Sequence, residues 1–128
     1  MAIILDHTIV PAKDKAFSAK FFAEIFGLTV KPGQGYFAQV QVNDSLTLDF
    51  DEVPEPQSHH YAFHISDAEF DSILGRVKAK GLPYGSGPFN HSDGQIYNRR
   101  GGRGFYFEDP NGHLLEVMTV RETGSNPD

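Results

Sequence analysis

Two histidines and two carboxylates recur at matching places in this 128-residue chain, and together they have the chemistry to hold a divalent cation. His7 opens an apolar run, Thr8-Ile9-Val10, with Asp14 seven residues on and Phe17 three after that. His60 opens a second run, Tyr61-Ala62-Phe63, and Asp67 and Phe70 follow at the same offsets. The halves also close alike, since the segment from Asp44 to Asp49 is echoed by the segment from Asn111 to Glu116. His7, His60 and Glu116 would make a ligand set of two imidazoles and one carboxylate, which leaves open positions on iron, manganese, nickel or zinc. Asp49 is the repeat-related fourth candidate, one methylene shorter than a glutamate. Solvated strand residues are the competing reading for each position, but that reading must explain equivalent placement in both halves. Glu116 is the sharpest case, because a charge inside Leu114-Leu115-Glu116-Val117-Met118 is rarely buried without a partner.

The elements that must position these groups follow the same repeat. Residues 2 to 10 read as a strand, and Asp14 starts an amphipathic helix whose apolar positions Phe17, Phe21, Phe22, Ile25 and Phe26 precede a stop at Gly27. Residues 35 to 42 alternate as a strand, Asn43-Asp44 signals a tight turn, and residues 46 to 50 return. In the second half, residues 60 to 66 form a strand and Asp67 caps a helix to Lys80 along Phe70, Ile73, Leu74 and Val77, ended by Gly81. A loop from Pro83 to Gly94 leads to strands at residues 95 to 98, 104 to 108 and 113 to 120. The expected class is α+β, with two βαβββ modules in tandem. Module one covers residues 2–53, a Pro-rich linker 54–58, module two 59–120 and a polar tail 121–128. On these strands His64 shares a face with His60, whereas Tyr106 faces opposite Phe105 and Phe107. Arg99, Arg100 and Arg103 stand beside glycines, a composition that suits contact with an anion.

Composition sets the outer bounds. A chain of this length makes one core without staples, and zero cysteines removes disulfides, thiolate nucleophiles and cysteine zinc sites. Net charge of −6 argues against a nucleic-acid partner, and no stretch reaches the length of a membrane span. Met1-Ala2-Ile3-Ile4-Leu5 is too short for a secretion signal, so the cytoplasm is the expected location.

The opening Leu5-Asp6-His7, the run from His60 to Asp67, and above all the run from Phe105 to Glu116 resemble the vicinal oxygen chelate superfamily. This is the glyoxalase, bleomycin-resistance and extradiol-dioxygenase group. The resemblance implies paired βαβββ modules curved around a metal, with His7, His60 and Glu116 as ligands and Asp49 as a further one. It also implies chelation of a small substrate through two vicinal oxygens, with dioxygenase or lyase/isomerase chemistry. Glutamate stands at the position of Asp49 in the glyoxalase I pattern. The potassium-binding loop of the fosfomycin thiol transferases is replaced here by residues 100–104. Tyr106 aligns with a tyrosine that assists catalysis, and the acid–base histidine of extradiol dioxygenases falls near Tyr97. The expected site is therefore Glu116 and Tyr106 in catalysis, with His64, Tyr97, Arg103 and Tyr106 around the substrate. A homodimer is expected, with each site built from one chain or from two. The alternative is a metal-free protein that sequesters a small molecule, as bleomycin-resistance proteins do.

Overall fold

The computed structural model describes residues 3–33 and 35–124. It divides into two compact units, Met1–Gln57 and Ser58–Asp128. Each unit is an α+β layer in which one helix covers one face of a sheet, as the repeat predicts. Among the described residues no helix is long and apolar enough to cross a membrane.

The first unit runs β1 (His7–Ala12), α1 (Lys15–Phe26), β2 (Ala38–Gln41) and β3 (Thr47–Glu52). Its sheet has the order β1-β3-β2, with β1 parallel and β2 antiparallel to β3. Asp14 caps α1 by accepting from the Phe17 N–H at 3.0 Å, and Gly27 ends it with φ of 71°. The β2–β3 turn is held by the Asn43 side chain, which accepts from the N–H groups of Ser45 and Leu46. Leu48 and Phe50 bury the helix-side face, where Phe50 meets Phe22 with ring centroids 6.1 Å apart. Two expectations need correction. The first strand begins at His7, because its partner β3 begins at Thr47; Ile3, Ile4 and Leu5 precede it exposed. The strand preceding β2 in a full βαβββ unit is reduced to one bridge between Val30 and Val40. Residue 2 and residues 125–128 of the expected tail lie outside the described residues.

The second unit runs β4 (His60–His64), α2 (Asp67–Ala79), β5 (Tyr84–Gly85), β6 (Tyr97–Arg99), β7 (Gly102–Glu108) and β8 (Leu114–Met118). The sheet order is β4-β8-β7-β5, with β6 also pairing β7. Ser66 caps α2, not Asp67: its hydroxyl accepts from Glu69 N–H while the Glu69 carboxylate reaches back to Ser66 N–H. Asp67 instead supplies negative charge to the first helical turn. Pleat alternation sends Phe105 and Phe107 of β7 and Leu115 and Val117 of β8 towards α2. Phe70, Ile73 and Val77 of the helix are buried on that side, and Phe70 meets Phe105 edge-on at 5.4 Å. The β8 turn is organised by Asp109, whose Oδ1 accepts from Asn111 and His113 N–H groups. His113 is fully buried, and its Nδ1 accepts from His59 N–H at 3.0 Å, so this histidine is structural. Because Phe70 is fully buried in this aromatic cluster, Phe70→Ala is expected to destabilise the protein by about 3–5 kcal/mol in urea denaturation.

Candidate metal centre

Parallel strand pairing does the first step of building the site. His60 pairs with Leu114 and Ala62 with Glu116, so His60 and Glu116 project from the same sheet face on adjacent strands. That face is the one turned away from α2. His60 Nε2 stands 3.1 Å from Glu116 Oε1. The histidine side chain keeps 47% of its exposure while the glutamate side chain keeps 7%.

Glu116 sits between Leu115 and Val117, whose side chains point into the core on the α2 side, and its own carboxylate is nearly covered on the opposite face. Its second oxygen, Oε2, accepts from the Tyr97 hydroxyl. Reaching that oxygen depends on a missing side chain. Tyr97 pairs with Gly104 across β6 and β7, and a Cβ at position 104 would lie 2.1 Å from Tyr97 Cζ. Burial first, and the hydrogen bond to Glu116 second, push the Tyr97 phenol well above its ordinary pKa. It is therefore a protonated donor throughout the neutral range.

Tyr106 pairs directly opposite Glu116. Its ring lies 5.8 Å from that of His60 and 5.7 Å from that of Tyr97. Burial raises the Tyr106 phenol, and a hydrogen bond from Arg99 Nη2 at 3.4 Å opposes that rise. The Arg99 guanidinium also lies over the Tyr97 ring, 4.1 Å from its centre. His64, on the same face as His60, hydrogen-bonds through Nε2 to the Thr119 carbonyl at 3.2 Å.

Arg103 is placed elsewhere. It alternates onto the α2 side of β7, where Asp67 at 3.2 Å and Asp71 at 3.0 Å hold its guanidinium over Phe70. These contacts hold its charge on the helix, so Arg99 is the arginine that stands at the site. His91 pairs with Glu108 at 2.6 Å on the Pro83–Gly94 loop, apart from these groups.

The first unit repeats the register but not the contact. His7 pairs with Thr47 and Ile9 with Asp49, the same offset as in the second unit. However, His7 Nδ1 is 2.8 Å from Asp6 Oδ2, and this hydrogen bond with the Asp6 charge raises the imidazole pKa. Asp49 is buried and accepts from Gln39 Nε2 at 2.8 Å. Within each unit, among the described residues, no three histidine or carboxylate side chains converge on one ion position.

The pair in the second unit fits a divalent ion. Two ligand atoms each about 2.1 Å from an ion and at right angles to it stand about 3 Å apart, close to the separation of His60 Nε2 and Glu116 Oε1. The hydrogen bond from Tyr97 to the other carboxylate oxygen is of the kind that would orient a glutamate ligand. With no thiolate available, the donor chemistry is nitrogen and oxygen. Sequence reasoning missed the part of Gly104, although a glycine inside a strand does signal a close approach.

Residues 4–117 match the family model of the Glyoxalase/Bleomycin resistance protein/Dioxygenase superfamily, and the chain belongs to that superfamily. Its relatives named as enzymes include an oxidase and a glutathione transferase. It is 45% identical to the solved structure of Oxidase ChaP-H2, with a TM-score of 0.88 over 94% of this chain and 96% of that one. It is 29% identical to Glutathione transferase FosA of Serratia marcescens, over 88% of this chain and 78% of that protein. The fosfomycin resistance protein FosX of Listeria monocytogenes, 23% identical with a TM-score of 0.73 over 97% and 98% of the two chains, shares the fold.

Gly104→Ala is expected to cost about 1–3 kcal/mol by forcing the Tyr97 ring away from Glu116. In a double-mutant cycle read by chemical denaturation, Tyr97→Phe should then add much less in the Gly104→Ala background than it does in wild type.

Proposed function

We propose that this chain is a metal-dependent oxidoreductase acting on a small molecule with two vicinal oxygens. The observation that supports this reading most is the His60–Glu116 pair, a ligand-ready nitrogen and oxygen 3.1 Å apart with Tyr97 backing the carboxylate. The 45% identity to an oxidase favours redox chemistry over lyase or isomerase chemistry. His7 is the third ligand, contributed by the first unit of the same chain or of a second copy in a homodimer. Asp49 is the further candidate ligand, with Gln39 engaging its Oδ1.

When bound, a divalent ion of the iron, manganese, nickel or zinc type supplies Lewis acidity at the substrate oxygens and, as iron, redox activity. The rest falls to the protein. His60 must present Nε2 without a proton, so its tautomer shifts relative to the free pair. Glu116 keeps Oε1 for the ion because Tyr97 occupies Oε2. The Tyr106 phenol, its pKa pulled up by burial and down by Arg99, is the group placed to exchange a proton with a substrate oxygen. His64 contacts the substrate from the same sheet face.

Transfer of glutathione, the activity in the name of FosA, is disfavoured by the local backbone. Arg100 and Gly101, with φ of 51° and 79°, form the tight turn between β6 and β7 where the thiol transferases' cation loop is expected.

The direct test is elemental analysis after incubation with each divalent ion and removal of the excess. Wild type should retain about one ion per chain, and His7→Ala, His60→Ala and Glu116→Ala should lose it. Equally low metal in all four proteins would overturn the reading. Tyr97→Phe should keep the metal but bind it about 10–100-fold more weakly, as measured by competition with a chelator.

A further inference from the structure

We propose that Arg99 selects substrates carrying an anionic group beside their two vicinal oxygens, a proposal that rests on the site reading above and names its substrate class. The three arginines of the β6–β7 region are used differently. Arg103 is tied to Asp67 and Asp71, and Arg100 lies 4.0 Å from Glu122. Arg99 forms no ion pair among the described residues. Its contacts are the face of the Tyr97 ring and the long hydrogen bond to Tyr106.

The register explains why its side chain lies here. Arg99 pairs with Gly102 and Tyr97 with Gly104, so Arg99 shares the sheet face of Tyr97, Tyr106 and Glu116. The nearby carboxylate of Glu116 makes no ion pair with it, since its oxygens contact His60 and Tyr97. An arginine has five N–H donors in a planar fork, and here only one is spent, at long range. The ring of Tyr97 holds the fork in a defined plane, which lowers the ordering cost of a two-pronged contact with a carboxylate. Tyr106 accepts from Arg99 with its oxygen, which anchors the guanidinium beside the phenol. The chain as a whole carries a net charge of −6, so a cation without an ion-pair partner beside the site offsets the negative charge that an anionic substrate would meet.

The experiment compares two probes of one shape, protocatechuate and its primary amide. Both offer adjacent hydroxyls, and only the first carries a carboxylate. Titration calorimetry is run on zinc-loaded and on metal-stripped protein, for wild type, Arg99→Gln, Arg99→Lys and Arg100→Gln. Wild type should bind the acid about tenfold or more tightly than the amide. Arg99→Gln should abolish that preference by weakening the acid alone, Arg99→Lys should keep part of it, and Arg100→Gln should keep all of it. Equal affinities in wild type, no binding of the acid at millimolar concentration, or a preference unchanged in Arg99→Gln would each overturn the proposal. If stripping the metal leaves both affinities unchanged while the Arg99-dependent preference persists, the anion proposal stands and the metal reading is the one that fails.

Discussion

A carboxylate buried in the middle of a hydrophobic strand is the constraint around which the second unit is arranged. Glu116 lies between two core residues on β8, and an unpaired charge there would cost several kcal/mol. Three features of the sheet offset that cost. Parallel pairing with β4 brings His60 alongside, antiparallel pairing with β7 places Tyr106 opposite, and the hairpin from β6 swings Tyr97 across a glycine to the remaining oxygen. Each partner is polar, and each could also serve a substrate or a metal. The requirement for a stable buried charge and the requirement for a reactive site are met by the same contacts.

The two units repeat this arrangement in backbone and diverge in side chains. Each places a histidine at the start of a strand and a carboxylate opposite the residue two further on. In the second unit the pair meets. In the first, His7 turns to its neighbour Asp6 and Asp49 is taken by Gln39. Asp49 is shorter than Glu116, and the amide of Gln39 satisfies it without recruiting an aromatic residue. The duplication therefore supplies two copies of a scaffold, and the chemistry is unequal between them. The first unit holds His7 against Asp6 and Asp49 against Gln39; the second holds His60 against Glu116.

The arginines illustrate how charge is sorted by the pleat. Arg99 and Arg103 are four residues apart and flank the same turn, yet they serve opposite faces. Arg103 stabilises the junction of β7 with α2 by pairing with two aspartates of the first helical turns. Arg99 faces Tyr97 and Tyr106 and remains uncommitted. Composition counts them alike, and the expectation that Arg103 stands by the substrate came from that equivalence. The register separates them.

The sequence by itself determined the duplication, the α+β class, the two helices with their apolar faces, and the candidacy of His7, His60, Glu116 and Asp49. These features are carried by local periodicity and by spacing, which the chain preserves whatever its partners are. The Ser66–Glu69 capping box is likewise local and lies within the spacing of the sequence itself. Only the tertiary structure decided that β1 starts at His7 and that the strand before β2 survives as a bridge. Only it separated Arg99 from Arg103, and only it made Gly104 the residue that admits Tyr97 to Glu116. The physical reason is common to all of these. A strand limit, a facing side chain and a close approach are each set by a partner far away along the chain, and spacing along one strand cannot reveal which residue lies across from it.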